Sequence, residues 1–168
     1  TWDCQHVVLT GGEPMLFAEL IPLTQQLAHQ EHHITIETAG TLYLPVVCDL
    51  ISISPKLSSS TPSLASHPHW HRRHQSDRRR IDVVQRLVHE YNYQLKFVVD
   101  RPDDCQEVEE YLTALADIDR ERVLLMPQGT HPPELASRTA WLAPYCEQKG
   151  YRFCPRKQIE WFGPVRGT

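Results

Sequence analysis

The sequence predicts an α/β fold in which mostly parallel strands alternate with helical segments. Three observations predict it. Short apolar or β-branched runs, at Val7 to Leu9, Ile34 to Glu37, Asp49 to Ser54, Tyr93 to Val99 and Arg122 to Met126, read as strands. The stretches between them are long enough for crossovers, and most carry apolar residues at three- and four-residue spacing. The first three runs also end in polar residues, Gly or Pro: Thr10-Gly11-Gly12-Glu13-Pro14, Glu37-Thr38-Ala39-Gly40-Thr41 and Ser54-Pro55-Lys56. A parallel sheet binds its ligands at the carboxyl ends of its strands, so this recurrence points to a site there.

Thr1 to His6 is a polar lead into the first strand. After it, Leu16, Leu20, Leu23 and Leu27, with Ala18 and Ala28, form a helical stripe. Pro22 inside that stripe predicts either a kink or a helix that starts later than Met15. His29 to His33 reads as a solvated turn, and Leu44 to Cys48 as a short connector compatible with a helix.

Residues 57–80 break the rhythm with Ser, Pro, His and Arg and almost no apolar period, which predicts a long mobile crossover. His67, His69, His71 and His74 would share a face of an extended segment. No cysteine or carboxylate at ligand spacing joins them, so a histidine-tolerant low-complexity insert is the preferred reading over a metal site. Arg72, Arg73 and Arg78 to Arg80 read as a solvated basic surface in preference to an RNA contact.

Ile81, Val84, Leu87, Val88 and Tyr91 make one helical face, and Val108, Tyr111, Leu112 and Leu115 another after the acidic turn at Arg101 to Asp104. Pro127 to His131 is a loop. A helix follows Pro133 with Leu135, Ala136, Trp141, Leu142 and Tyr145, and Tyr151 to Cys154 is a last short strand. Trp161 opens the C-terminal tail and reads as a packing residue.

Composition bounds the function. The 168 residues make one domain's worth of chain, with 40% hydrophobic and 23% charged residues. A net charge of -4 argues against a direct nucleic-acid partner, because wrapping phosphates needs clustered cations. No apolar stretch is long enough to span a bilayer and no signal peptide is recognisable, so a cytoplasmic location is the default. Cys4, Cys48, Cys105, Cys146 and Cys154 form no CxxC pair and no disulfide framework.

The Gly11-Gly12 pair lets a ligand approach bare backbone, and Glu13 adds a fixed acceptor suited to an ammonium group. An ordinary strand-to-helix turn started by Pro14 fits the same residues. Together with Gln94-Leu95-Lys96-Phe97-Val98-Val99 and the tail Trp161-Phe162-Gly163-Pro164-Val165-Arg166-Gly167-Thr168, these strand-end motifs resemble the radical S-adenosylmethionine superfamily. Within it they resemble the 7-carboxy-7-deazaguanine synthases of queuosine biosynthesis, and the resemblance covers nearly the whole chain.

That resemblance implies a partial (β/α) barrel of the radical S-adenosylmethionine type, here with the first strand and cluster loop missing from a truncated domain spanning residues 1–168. It implies conversion of 6-carboxy-5,6,7,8-tetrahydropterin to 7-carboxy-7-deazaguanine with loss of ammonia, by a four-iron four-sulfur cluster, S-adenosylmethionine and Mg²⁺, in a homodimer. Gly11, Gly12, Glu13, Glu37, Ser54, Pro55, Lys56, Gln128, Gly129, Thr130 and His131 would contact S-adenosylmethionine, and Thr10 and Thr168 the pterin.

Each has a plainer reading as well. Thr10 can cap its turn, Glu37 can hold a ribose hydroxyl or anchor its loop, and Lys56 can be simply exposed. Lys96 points into or out of the barrel according to register. The family's CxxxCxxC motif is absent, and Cys4 has no nearby partners. The chain is therefore expected to be a C-terminal portion, inactive without the cluster ligands and Mg²⁺-binding threonine expected upstream. The alternative is a non-catalytic nucleotide- or partner-binding domain derived from that fold.

Overall fold

Strands β1 (His6–Leu9), β2 (His33–Thr38), β3 (Leu50–Ile53), β4 (Tyr93–Val99), β5 (Val123–Pro127) and β6 (Arg152–Phe153) lie side by side in chain order. Every neighbouring pair is parallel. This is a computed structural model, and it describes residues 4–163. β1 and β6 form the two edges of the sheet, which is open between them.

The strand period of two sorts the side chains onto two faces. On β2 and β4, Ile34, Ile36, Tyr93, Leu95, Phe97 and Val99 are buried, while Thr35, Glu37, Gln94, Lys96 and Val98 on the opposite face remain partly open. The buried face meets helices α3 (Ile81–Glu90), α4 (Pro102–Thr113) and α5 (Pro132–Lys149) through Val84, Leu87, Val108, Tyr111, Leu142 and Cys146. Phe97 packs edge-on against the Tyr111 ring at 5.5 Å. Burying one such side chain contributes about 1.5–3 kcal/mol, so this layer holds the sheet and leaves the other face free for polar groups.

Helix α1 (Leu20–His29) resolves the Pro22 question. The helix begins late, which puts Pro22 in the first turn, where a missing N–H breaks no helical bond. Its buried residues are Leu20 and Thr24, and Leu27 and Ala28 pack beside the core. The expected leucine stripe is thus only half used: Leu16 and Leu23 are exposed, because Leu16 belongs to a separate 3₁₀ turn at Pro14–Leu16. The Leu44 to Cys48 connector is non-helical and buries Val46.

Residues 57–80 depart most from expectation. In place of a long mobile crossover they form a 3₁₀ turn at Ser58–Ser60 and a ten-residue helix, α2 (Pro68–Asp77). Helix α2 buries none of its residues, so apolar periodicity had nothing to report. Polar bonds hold it instead. The His74 ring bridges Ser60 Oγ and Thr61 Oγ1, each at 3.1 Å, and His71 Nδ1 donates to the Pro62 carbonyl at 2.9 Å. Just beyond the helix, Arg78 pairs with Glu107 of α4.

A final helix, α6 (Lys157–Phe162), carries Trp161, which is 68% exposed and lies beneath the Lys157 ammonium, not packed in a core. No helix among the described residues is long and apolar enough to cross a membrane.

Candidate functional site

Parallel register brings the carboxyl ends of the strands to one side of the sheet. Leu9 pairs with Ile36, Thr38 with Ile53 and Val99 with Pro127, so the loop after each strand opens beside its neighbours'. The Gly-Gly-Glu-Pro loop after β1 is tied to the loop after β2 by one carboxylate. Glu13 Oε1 accepts from Thr38 Oγ1 at 2.7 Å and from the Met15 amide at 3.2 Å, and Oε2 accepts from the Ala39 amide at 2.8 Å. A carboxylate offers about four acceptor positions. Three are filled from within the chain, so Glu13 is first an anchor and keeps one position for a further donor.

A second network lies on the open face of the sheet. Lys96 Nζ donates to Glu37 Oε1 at 3.1 Å, and Thr10 Oγ1 donates to Glu37 Oε2 at 3.2 Å. This settles the direction of Lys96, which shares the face of Glu37, and shows Glu37 holding both Lys96 and Thr10. On the same face Gln94 Nε2 donates to Ser52 Oγ at 2.9 Å. Parallel pairing of Glu37 with Ser52, and of Ser52 with Gln94, sets these polar groups in one row across three strands.

The glycines divide into two kinds. A Cβ on Gly40 would stand 2.7 Å from Val84 Cγ2 and 2.8 Å from Ile53 Cγ2, so this glycine serves packing. Around Gly11 and Gly12 nothing lies within 4 Å of the added carbon, and Gly11 has a φ of +144°. Their amides make no hydrogen bond within the described residues. Such bare backbone suits close approach by a ligand.

Lys56, after β3, donates no hydrogen bond and pairs with no carboxylate among the described residues. Lys56 is exposed, as its plainer reading expected, yet partial desolvation and the neighbouring Lys96 charge push its ammonium below the usual lysine range, against the pull of Glu13 and Glu37. An unpaired cation disfavoured by its surroundings gains from an anionic ligand.

The structure therefore gathers Thr10, Gly11, Gly12, Glu13, Glu37 and Lys56. Ser54 donates its amide to the Thr38 carbonyl at 2.7 Å, and Pro55 is buried. Gln128, Gly129, Thr130 and His131 lie at the end of β5, with Gln128, Thr130 and His131 exposed and Gly129 buried. Thr168 lies outside the described residues.

A groove of about 710 Å³ runs from Gly12, Glu13 and Lys56 to Trp70 and Arg73 of α2. Sequence reading took Arg73 as part of a solvated basic surface and missed Trp70. Trp70, Arg73 and Asp77 are spaced three and four apart, yet that period carries polar residues and does not mark a core.

An all-parallel sheet laid down in chain order, with its polar groups collected where the strands end, defines an α/β protein of partial-barrel type. A crystal structure of QueE from Escherichia coli shares the fold: the TM-score is 0.66 at 24% identity, over 92% of this chain and 57% of that one. No family model matches the sequence. Among whole sequences, 7-carboxy-7-deazaguanine synthase of Rhodopirellula baltica is 42% identical over 165 residues, covering 98% of this chain and 64% of that protein. The Halobacterium salinarum enzyme of the same name is 42% identical over 92% of this chain and 63% of its own length. That of Pyrobaculum aerophilum is 33% identical over 96% and 67%. The chain belongs to the 7-carboxy-7-deazaguanine synthase family. It spans just under two thirds of the length of the first two relatives.

The residues at the strand ends fit S-adenosylmethionine: free amides, one open carboxylate position and an unpaired cation meet a ligand that carries an ammonium, a carboxylate and a nucleoside. They do not fit an iron–sulfur cluster. Cys105 of α4 and Cys146 of α5 are buried in the helix layer, Cys48 is in the connector after β2, Cys154 follows β6 and Cys4 precedes β1. Burial pushes the Cys105 thiol up to about 12 and those of Cys48 and Cys146 to about 11, the reverse of what thiolate ligation needs. Among the described residues, no group of three His, Cys, Asp or Glu side chains is placed to hold a metal ion, Mg²⁺ included.

Proposed function

We propose that this chain forms the S-adenosylmethionine-binding and substrate-facing wall of a 7-carboxy-7-deazaguanine synthase. The enzyme would convert 6-carboxy-5,6,7,8-tetrahydropterin to 7-carboxy-7-deazaguanine with loss of ammonia. The observation that carries this reading is the pairing of two networks at the same strand ends: Glu13 clamping the glycine loop, and Glu37 holding Thr10 and Lys96 beside it.

When bound, S-adenosylmethionine supplies the radical chemistry; the protein binds, orients and excludes water. Gly11 and Gly12 turn their amides toward the methionine end, and the remaining acceptor position of Glu13 takes its ammonium. Ser54, Pro55 and Lys56 line the adenosine side, and Gln128 to His131 approach it from the β5 loop. Thr10 faces the pterin, held at a fixed angle by Glu37. The cluster ligands and the Mg²⁺ site belong to protein outside these 168 residues, and the reading includes a homodimer.

Anaerobic iron–sulfur reconstitution of this chain, beside a version extended upstream through a CxxxCxxC motif, tests the proposal. Visible absorbance reports the cluster, and product analysis reports S-adenosylmethionine cleavage and pterin conversion. Cluster, cleavage and product in the extended chain only are the expected result. A cluster in the short chain would overturn the cysteine argument. The scattered cysteines favour one second reading, a binding module without chemistry. An extended chain that binds S-adenosylmethionine and cleaves none would establish that reading instead.

A further inference from the structure

Helix α2 is an anomaly for a small α/β chain, because it is ordered and yet contributes nothing to the core. Its contacts explain why it is held. His71, His74 and Gln75 bond to the Thr61–Pro62 turn and Ser60, and Arg78 bonds to Glu107 and to the Lys56 carbonyl. His74 and Arg78, which make these bonds, also line the groove. Beside them stand Trp70, 55% exposed, and Arg73, whose guanidinium lies 5.8 Å from the Trp70 ring centre.

Across the groove stand Gly12, Glu13 and Lys56. At about 710 Å³ the space lies within the roughly 300–1,000 Å³ range of small-ligand sites. Its walls therefore present a flat aromatic surface, a guanidinium fork with one exposed carboxylate neighbour at 3.5 Å (Asp77), and an unpaired ammonium. A ring seated on Trp70 would bring an anionic substituent near the Arg73 guanidinium, 5.8 Å from the Trp70 ring centre.

We propose that α2 is a substrate-recognition wall: Trp70 stacks on a planar nitrogen heterocycle, and Arg73 binds a carboxylate that the ring carries. This rests on the synthase reading for the identity of its natural ligand, a carboxylated pterin, and deepens it by naming the residues that select for the carboxylate. Trp70 and Arg73 are positioning residues, and no proton or electron passes through them.

The probe is pterin-6-carboxylate, a fluorescent ring with the required carboxylate, titrated into the 168-residue chain. Trp70→Ala and Arg73→Ala should each raise its Kd about tenfold, equivalent to one stacking or one charge-assisted contact. Trp70→Phe, which keeps an aromatic face, should restore most of the affinity. Pterin without the carboxylate should bind weakly and show no dependence on Arg73, and S-adenosylmethionine affinity should not change in any variant. Circular dichroism of each variant should match the parent, since α2 buries no side chain. Unchanged Kd values in both alanine variants, or no binding of the probe by the parent, overturn the inference. If the extended synthase forms product while both alanine variants bind the probe normally, only the α2 inference falls. If binding depends on Trp70 and Arg73 but the extended chain makes no product, the synthase reading falls and the recognition wall stands.

Discussion

Lys96 on β4 reaches over β3 to Glu37 on β2, with Nζ 3.1 Å from Oε1, while Thr10 donates to the other oxygen of the same carboxylate. One carboxylate of β2 thus couples the loop after β1 with the middle of β4 on the open face. Lys96 is 18% and Glu37 39% exposed, so the pair is partly shielded from water. Replacing Lys96 with Met should cost about 1 kcal/mol in urea denaturation, and a double-mutant cycle with Glu37→Gln should return a coupling of similar size. Additive single effects would show that the bond contributes nothing in solution.

Gly40 and Gly12 stand in similar motifs and should respond oppositely to alanine. Gly40→Ala meets Val84 and Ile53 and sits at a φ of +71°, so it should destabilise by about 2–3 kcal/mol. Gly12→Ala meets nothing and should leave stability within about 0.5 kcal/mol. Under the proposed function it should nonetheless weaken S-adenosylmethionine binding, read by calorimetry, because a methyl group then occupies the approach to the backbone.

Acid should loosen the segment around α2 in two stages. Burial and the charges of Arg78 and Lys56 hold the His74 imidazole below its ordinary value of 6.5. The unfolded chain therefore takes up that proton first, and stability falls as pH drops from about 6.5 toward the folded value. Burial pushes Glu107 up, but hydrogen bonds from the Ser58 side chain and amide and from Arg78 outweigh it and hold the carboxyl below its ordinary 4.5. Its contribution is present above that value and is lost as pH falls through the depressed one. Denaturation midpoints measured from pH 7 to 3 should show both stages. Glu107→Gln should differ from the parent at pH 7 and converge with it at the acid end.

The Tyr111 hydroxyl is buried without a hydrogen-bond partner among the described residues, although its ring packs against Phe97. Desolvation pushes its pKa up to about 12. Tyr111→Phe keeps the ring and removes the unsatisfied oxygen, so it should hold or raise stability, by up to about 1 kcal/mol. A loss of more than that would show that the hydroxyl has a partner in solution.

Much of the fold was legible because it rests on local signals. Val7 to Leu9, Ile34 to Glu37 and Tyr93 to Val99 carry strand character in their own composition, and Val84, Leu87 and Val88 carry a helical period. Polar exits after three successive strands marked the end of the sheet where Thr10, Glu13 and Glu37 gather. Helix α2 was invisible to the same tests because its order comes from His71, His74 and Arg78 bonding to residues on its flanks and on α4, and such bonds leave no apolar period.

The sequence by itself determined the order of the strands and of the helices that carry an apolar stripe, the end of the sheet where polar residues gather, and membership of a family through motifs spaced along nearly the whole chain. Tertiary structure decided what each polar group does. Glu13 reads in the sequence as a free acceptor, but pairing of β1 with β2 places Thr38 and Ala39 against it and makes it a clamp. Lys96 could have faced either side, and only strand register fixed it beside Glu37. A side chain's chemistry is set by its composition, whereas its free lone pairs, its charge partners and its access to a ligand depend on residues that meet it only after the chain has folded.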